Sequence, residues 1–372
     1  MCDGGTLQLI LPNSGKPGYE NCMMISVTQW PAVFNRSTAK YFKHSLCFDV
    51  SSSKLLIDFL VTENMSILLI SKTRNMEPFR DALLNHDNNL DVEIWPDIKS
   101  KDRVNFAVAW NQPKEQFSSY PNLQVVSSLG AGADHLLKDP SIPKEVKLTR
   151  LVAPKLSEQM CDYVVMSALN MIRQFASYTR QQIRADWKPH SQYQKENLMV
   201  GIMGLGELGT NVAKRLTANG FKVSGWAKSK KSIPSVITYP EDQLDPFLAD
   251  TNILVCLLPL TAETEGILNL DLFKKLANPG FLINVARGEH LVEEDLIYAL
   301  DMNLIKRSTL DVFETEPLPE SHPFWSREKI SITPHIASVT HPDEIAGLIL
   351  DNYKRMLSKQ ELINQVDRQR GY

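Results

Sequence analysis

The sequence predicts an α/β protein built on parallel sheets, and three observations carry that expectation. Continuous apolar runs at 66–71, 253–258 and 281–286 alternate with segments of helical spacing, the pattern of strands buried on both faces and separated by covering helices. The stretch 198–209 is an apolar run that ends in Gly204, Gly206 and Gly209, a G-x-G-x-x-G spacing. Beyond it Leu208, Val212 and Leu216 recur at i, i+4 and i+8, Gly220 ends the pattern, and a second apolar run covers 221–226. Strand, turn, helix and strand within about thirty residues make a Rossmann-type dinucleotide unit. In such a unit the first strand ends at Met203 and Gly204 makes the tight turn. Gly206 then lets the backbone approach a pyrophosphate, and Gly209 allows close helix packing.

Size and composition narrow the class. At 372 residues the chain exceeds one ordinary domain, and 43% hydrophobic residues suffice for buried cores, so two domains are expected. A net charge of -3 argues against a nucleic acid or an anionic membrane surface as partner and points to a small molecule. No run of about 18 apolar residues and no secretory leader pattern occurs, so a soluble, cytoplasmic protein is expected. The five cysteines, Cys2, Cys22, Cys47, Cys161 and Cys256, are odd in number and lack CxxC or Cys/His ligand spacing. They support neither a disulfide framework nor a metal site. Cys256, inside an apolar run, reads as a small core residue.

Along the chain, residues 1–64 hold three of the five cysteines among scattered Ser, Asn and Pro, with no alternation of strands and helices. Five acidic and five basic residues occur there, unlike an Arg-rich, acid-poor transit peptide. Regular structure is expected from 66 onward, with a helix over 77–84 and strands near 92–95, 106–110 and 123–127. The last strand leads into Leu129-Gly-Ala-Gly-Ala-Asp134, whose glycines suit a turn with exposed amides that bind an anion. Pro154 precedes a long helix in which Met160, Val164, Ala168, Met171 and Phe175 keep 3-and-4 spacing. After the glycine fingerprint, strands at 253–258, 281–286, 305–312 and 329–333 alternate with helices at 270–276 and 292–300. A final helix runs from Pro342 to about Leu357.

Ligands of an open parallel sheet sit beyond the carboxyl ends of its strands. Arg287 follows the run 281–286, Glu316 follows the run that ends at Val312, and His335 follows 330–334. Three strands therefore aim polar side chains at one crevice. An arginine fork holds a carboxylate or polarises a carbonyl, a histidine donates a proton, and a glutamate favours the charged imidazole. The loop after the second dinucleotide strand reads Trp226-Ala-Lys-Ser-Lys-Lys231, with no acid where an NAD enzyme sets one against the ribose hydroxyls. Its lysines, Lys228, Lys230 and Lys231, either meet a 2'-phosphate or form a solvated surface loop.

Several further words stand in order: Ser128-Leu-Gly-Ala-Gly-Ala-Asp134, Leu257-Leu-Pro259, Asn284-Val-Ala-Arg-Gly288, Asp311-Val-Phe313, Glu316-Pro-Leu318, Thr333-Pro-His-Ile-Ala337 and the terminal Gln365-Val-Asp-Arg-Gln-Arg-Gly-Tyr372. From residue 66 to the end the chain thereby resembles the D-isomer-specific 2-hydroxyacid dehydrogenase family, in its glyoxylate/hydroxypyruvate reductase A branch. The resemblance implies a smaller flavodoxin-like α/β substrate domain made of 65–152 and 337–372. The dinucleotide domain, 153–336, is inserted into it, and 1–64 is an extension of unknown role. The implied activity is reduction of small 2-oxo acids such as glyoxylate and hydroxypyruvate, with NADPH preferred and NAD possible. In that reading Arg287 binds and polarises the substrate, His335 protonates the nascent alkoxide, and Glu316, rather than its neighbour Glu314, pairs with His335. The amides of Ala131 and Gly132 receive the substrate carboxylate, and Trp110 either lines the pocket or is a plain core aromatic. Cofactor contacts fall to Gly204, Leu205, Gly206, Glu207, Leu208, Gly209, Ala227, Lys228, Ser229, Leu258, Pro259 and Asp311, the last supporting the site rather than reacting. The family arginine at the phosphate position is replaced by Lys228. A homodimer through the dinucleotide domain, by the helix near Leu156, is also implied. Two alternatives stay open: an NAD-linked dehydrogenase of a larger acid such as phosphoglycerate, and a non-catalytic dinucleotide sensor that binds partner proteins, as corepressor relatives do.

Overall fold

The structure, a computed structural model, describes residues 7–12, 22–27 and 65–371. The chain divides into two units, Met1–Met65 and Ser66–Tyr372. In the first, strands β1 (Leu7–Pro12) and β2 (Cys22–Val27) pair antiparallel, Leu7 opposite Val27 and Pro12 opposite Cys22. This pairing corrects the reading of 1–64 as free of regular structure; two short apolar runs among Ser, Asn and Pro gave too little pattern to signal it. Cys2 and Cys47 lie outside the described residues.

The second unit holds two parallel sheets. The smaller contains β3 (Ser66–Ser71), β4 (Val92–Ile94), β5 (Val104–Trp110), β6 (Val125–Ser128) and β7 (Lys147–Arg150), in the order β4-β3-β5-β6-β7. Strand β3 shows why its sequence has no polar alternation. Ile67 and Leu69 face one core, shared with Ile345, Ile349 and Tyr353 of the final helix Pro342–Leu357, while Leu68 and Ile70 face the other, with Phe117 and Leu136. All four β3 residues are fully buried, each burial being worth about 1.5–3 kcal/mol. The final helix therefore belongs to the first sheet by packing, and it also lies against the helix Glu77–His86.

The larger sheet contains β8 (Met199–Met203), β9 (Lys222–Trp226), β10 (Val236–Tyr239), β11 (Ile253–Cys256), β12 (Gly280–Asn284), β13 (Ile305–Leu310) and β14 (Ile330–Ile332), in the order β10-β9-β8-β11-β12-β13-β14. Every neighbouring pair is parallel. The order reverses between β8 and β11, where Met203 stands opposite Cys256. In the smaller sheet it reverses between β3 and β5, where Ser71 stands opposite Trp110. Such reversal points open a crevice at the carboxyl ends of the strands. The expected fold class is the one found: a doubly wound Rossmann-type sheet beside a flavodoxin-like one.

Three details differ from the sequence reading. Strands β7 and β10 were not expected, and both are edge strands; polar Lys147, Thr149 and Arg150 leave β7 without an apolar run. The apolar runs 253–258 and 305–312 stay in the sheet only to Cys256 and Leu310, and beyond them Leu257, Leu258 and Asp311 border the crevice. The long helix is Pro154–Arg173, not extending through Phe175. Gln174, at φ 57°, breaks it, Asn170 Oδ1 accepts from the Ala176 amide at 3.0 Å, and a new helix Phe175–Ile183 begins with Phe175 exposed.

Cys161 and Cys256 are free and buried. Burial pushes the Cys256 thiol up to about 12, which keeps it from acting as a nucleophile near neutral pH. Among the described residues no helix is long and apolar enough to cross a membrane, and no group of three or more His, Cys, Asp and Glu gathers to hold a metal ion.

Candidate active site

A cleft of about 700 Å³ runs along the carboxyl ends of both sheets. The glycine fingerprint forms part of its floor. Gly204 has φ 102°, a left-handed conformation that favours glycine, and a Cβ there would lie 2.6 Å from the Leu257 carbonyl oxygen. At Gly209 a Cβ would fall 1.8 Å from the Gly204 carbonyl oxygen, so only glycine lets the helix Glu207–Ala218 start this close to the turn. Gly206 caps that helix, and a Cβ there would meet nothing within 4 Å. The backbone at the helix amino terminus thus faces open cleft, the arrangement that suits a pyrophosphate. Leu205 turns its side chain inward against Gly225, while Glu207 and Leu208 continue along the cleft.

Across the β8/β11 crevice, Leu258 and Pro259 border the same space. The Pro259 carbonyl accepts from Thr264 Oγ1 at 2.7 Å, which fixes this loop. After β9, Ala227 is buried with its amide on the Tyr239 carbonyl at 3.1 Å. Lys228, Ser229 and Lys231 line the cleft; Lys230 does not. Lys228 Nζ pairs with Glu263 Oε2 at 2.9 Å, and both side chains are more than half exposed. The loop carries no acid of its own, as its sequence indicates, yet Glu263 brings one to it from 35 residues away.

Arg287 follows β12 by three residues. Its Nε and Nη2 both reach Asp134 Oδ1 at 2.9 Å, and Nη1 donates to the Ala286 carbonyl at 2.7 Å. Gly132 makes room for this fork, since a Cβ there would lie 1.8 Å from Arg287 Nη2. Burial works against the Asp134 charge, but Arg287 and His135 outweigh it and hold its carboxyl below the usual range. The guanidinium is therefore pinned over the turn of Ala131 and Gly132, whose amides have no hydrogen-bond acceptor among the described residues. Beneath Arg287, the fully buried His290 joins two loops: its Nδ1 accepts from the Arg287 amide at 3.2 Å and its Nε2 meets the Pro259 carbonyl at 3.3 Å.

His335 enters from the loop after β14. Its Nδ1 meets Glu316 Oε2 at 2.8 Å, and Glu316 Oε1 accepts from the Phe313 amide at 3.0 Å. Burial disfavours the Glu316 anion, but His335 and the Phe313 amide overcome this and keep its carboxyl below the ordinary range. Glu314 is exposed. Glu316 stands behind His335 rather than on the cleft wall, so the imidazole presents Nε2 to the cleft. Asp311 borders the cleft, but its carboxylate is taken up by Thr333 Oγ1 at 2.5 Å and by the amides of Ile336 and Ala337 at 2.9 and 2.8 Å. Trp110 closes the side near His335, the two rings edge to face at 5.9 Å. His135 touches the same tryptophan at 5.5 Å, and its burial drives it down to about 4, so it stays neutral.

The sequence reading passed over Asp134 as a partner for Arg287, and also Glu263, Arg74, Arg150 and the 369–371 segment, all on the cleft wall. Two of these carried a signal: Asp134, as the last residue of the glycine turn, and 369–371, within the terminal word 365–372.

Comparison with known proteins decides the family. A glyoxylate/hydroxypyruvate reductase A of Serratia proteamaculans is 38% identical over 315 residues, which span 83% of this chain and all of that one. The chain belongs to the D-isomer specific 2-hydroxyacid dehydrogenase family. The family's NAD binding domain matches residues 165–337. A relative from Xanthobacter autotrophicus, solved with NADPH and MES, is 35% identical with a TM-score of 0.78, over 83% of this chain and 99% of that one. An NADPH-dependent glyoxylate/hydroxypyruvate reductase from Sinorhizobium meliloti, solved with NADP and sulfate, is 36% identical with a TM-score of 0.77, over 82% and 100%. The chain is thus an NAD(P)-dependent enzyme of this family, with the cleft geometry above.

Because the atom that a Cβ at Gly132 would strike is the far end of a long side chain and not backbone, Gly132→Ala should leave the fold intact and displace Arg287. A melting temperature within a few degrees of the parent and a fall of about 10²-fold in dehydrogenase kcat/KM are expected. Unchanged kcat/KM would show that the Arg287 position does not matter.

Proposed function

We propose that this chain catalyses the NADPH-dependent reduction of small 2-oxo acids, glyoxylate and hydroxypyruvate among them, to 2-hydroxy acids. The observation that carries the reading is the convergence of Arg287 and His335 on one cleft beside a bare glycine turn, with Glu316 behind His335. The bound cofactor supplies the hydride to the keto carbon. The Ala131 and Gly132 amides and Arg287 hold the substrate carboxylate, and the Arg287 fork polarises the keto group. His335 gives the proton on Nε2 to the carbonyl oxygen as that oxygen gains charge. Glu316, bonded at Nδ1, fixes the ring and offsets the charge of the imidazolium. The substrate domain in this proposal comprises 65–152 with 337–372, and the dinucleotide domain comprises 153–336.

The preference for NADPH rests on Lys228 and Lys231 after β9 and on the absence of an acid in that loop. Since the Lys228–Glu263 pair is exposed, it contributes at most about 1 kcal/mol and yields readily to a phosphate. A homodimer is also proposed. The paired helices Pro154–Arg173 and Phe175–Ile183 expose Met166, Leu169, Phe175 and Ile183, and Trp187 just beyond is fully exposed, a surface that suits a second copy of the chain.

His335→Ala should lower kcat for reduction by about 10² to 10⁴ while cofactor binding persists. Glu316→Gln keeps a partner at Nδ1 but removes its charge, so kcat for reduction should fall about 10-fold or more while the KM for NADPH is unchanged. Near-normal turnover of either variant would refute these roles. No turnover of any 2-oxo acid by the parent protein would leave the dinucleotide sensor.

For the cofactor, Ala227→Asp should shift the kcat/KM ratio toward NADH, because it adds a ribose acceptor and a charge that repels the phosphate. Glu263→Gln should lower the KM for NADPH a few-fold, an effect that shrinks as salt screens it. A ratio that neither change moves would mean that this loop does not read the ribose.

For the assembly, light scattering of a Phe175→Asp, Ile183→Asp double variant should give half the mass of the parent. An unchanged mass would move the interface elsewhere.

A further inference from the structure

Four arginines border the cleft: Arg74, Arg150, Arg287 and Arg370. Three are engaged. Arg287 is held by Asp134, Arg150 Nη1 donates to the Ala131 carbonyl at 3.1 Å, and Arg370 Nε pairs with Asp367 at 3.4 Å. Among the described residues the Arg74 guanidinium has no carboxylate or carbonyl partner; it lies over the Trp110 ring with Cζ 4.8 Å from the centroid. Arg74 is half-buried, so its charge is partly desolvated without an anion beside it, an arrangement that favours an incoming one.

Its place in the fold is equally specific. Arg74 follows β3 and Trp110 ends β5, the two strands that flank the reversal of strand order in the smaller sheet. Its loop is fixed by Ser71 Oγ, which accepts from the Thr73 and Arg74 amides at 3.2 and 3.0 Å, and by the buried Met76. Trp110 is fixed from below, since a Cβ on Gly130 would lie 2.9 Å from its Cζ3. The free fork thus sits one aromatic ring away from His335. With the first carboxylate at the Gly132 turn and the keto group between Arg287 and His335, the remaining end of a substrate extends toward Trp110.

We propose that Arg74 binds a second carboxylate on the substrate, so that the cleft favours 2-oxo dicarboxylic acids over monocarboxylic acids of the same length. This rests on the reductase reading above. The test is steady-state reduction by NADPH of oxaloacetate and of 2-oxobutyrate, equal in carbon number, with glyoxylate alongside. The parent protein should have the higher kcat/KM for oxaloacetate. Arg74→Met, which keeps the packing on Trp110, should lower that value about 10- to 100-fold, mainly through KM, as expected for the loss of a charge-assisted hydrogen bond. It should leave 2-oxobutyrate within about threefold, and Arg74→Lys should restore part of the loss. An equal fall for both acids, no fall for either, or a parent that prefers 2-oxobutyrate overturns the assignment. Turnover of glyoxylate without oxaloacetate overturns Arg74 alone, whereas no turnover of any acid overturns the reductase reading and the assignment with it.

Discussion

The contact between Arg287 and Asp134 ties the two sheets together at the cleft. Arg287 comes from the carboxyl end of β12, Asp134 from the turn after β6, and both side chains are largely buried. Two partly desolvated opposite charges attract more strongly than the same pair in water, and removal of either leaves the other buried and unpaired. The exposed Lys228–Glu263 pair is the opposite case: water and salt screen it, so a ligand can displace it. One pair therefore fixes geometry, and the other adjusts at the mouth. Gly132 completes the first by leaving the guanidinium the space of a methyl group.

Two histidines meet one tryptophan, and their surroundings give them different chemistry. His135 is half-buried, neutral and bonded to the Ala109 carbonyl at 3.4 Å. His335 has a carboxylate on one nitrogen and the cleft at the other. The two carboxyls that organise the site, Asp134 and Glu316, are both held below their ordinary range despite burial. A depressed carboxyl stabilises the fold above its unfolded pKa and loses that contribution as pH falls through the folded value. Acid therefore loosens the site by protonating the carboxylates behind Arg287 and His335.

What the sequence made legible follows from burial. Strands β3, β8, β11 and β12 are covered on both faces, so their apolar runs stood out. Edge strands β7 and β10 need only one covered face and left no run to find. Within the site, residues at strand ends in recognisable words, Arg287, Glu316 and His335, were legible because their spacing is local. The partners that tune them were not. Asp134 lies 153 residues from Arg287, and Glu263 lies 35 from Lys228. Such pairs are properties of the folded topology, and no local period encodes them. Gln174 shows the same limit at the level of a helix, where side-chain spacing continued through a residue whose backbone had already turned left-handed.

Asp311 shows how a cleft carboxylate can serve the chemistry without touching it. His335 has φ 55°, a left-handed conformation that costs a non-glycine residue about 1–2 kcal/mol. Its loop is held in that shape by Asp311, whose carbonyl accepts from the His335 amide at 2.9 Å and whose carboxylate accepts from Thr333, Ile336 and Ala337. Tyr163, from the helix Pro154–Arg173, backs Thr333 with a 2.5 Å contact between hydroxyls. Burial raises the Asp311 carboxyl and these donors oppose that rise. At about 0.5–1.5 kcal/mol for a neutral hydrogen bond, and more to a charged group, four such bonds outweigh the cost of the strained histidine. The loop thus has one low-energy shape, and that shape turns Nε2 toward the cleft and Nδ1 toward Glu316.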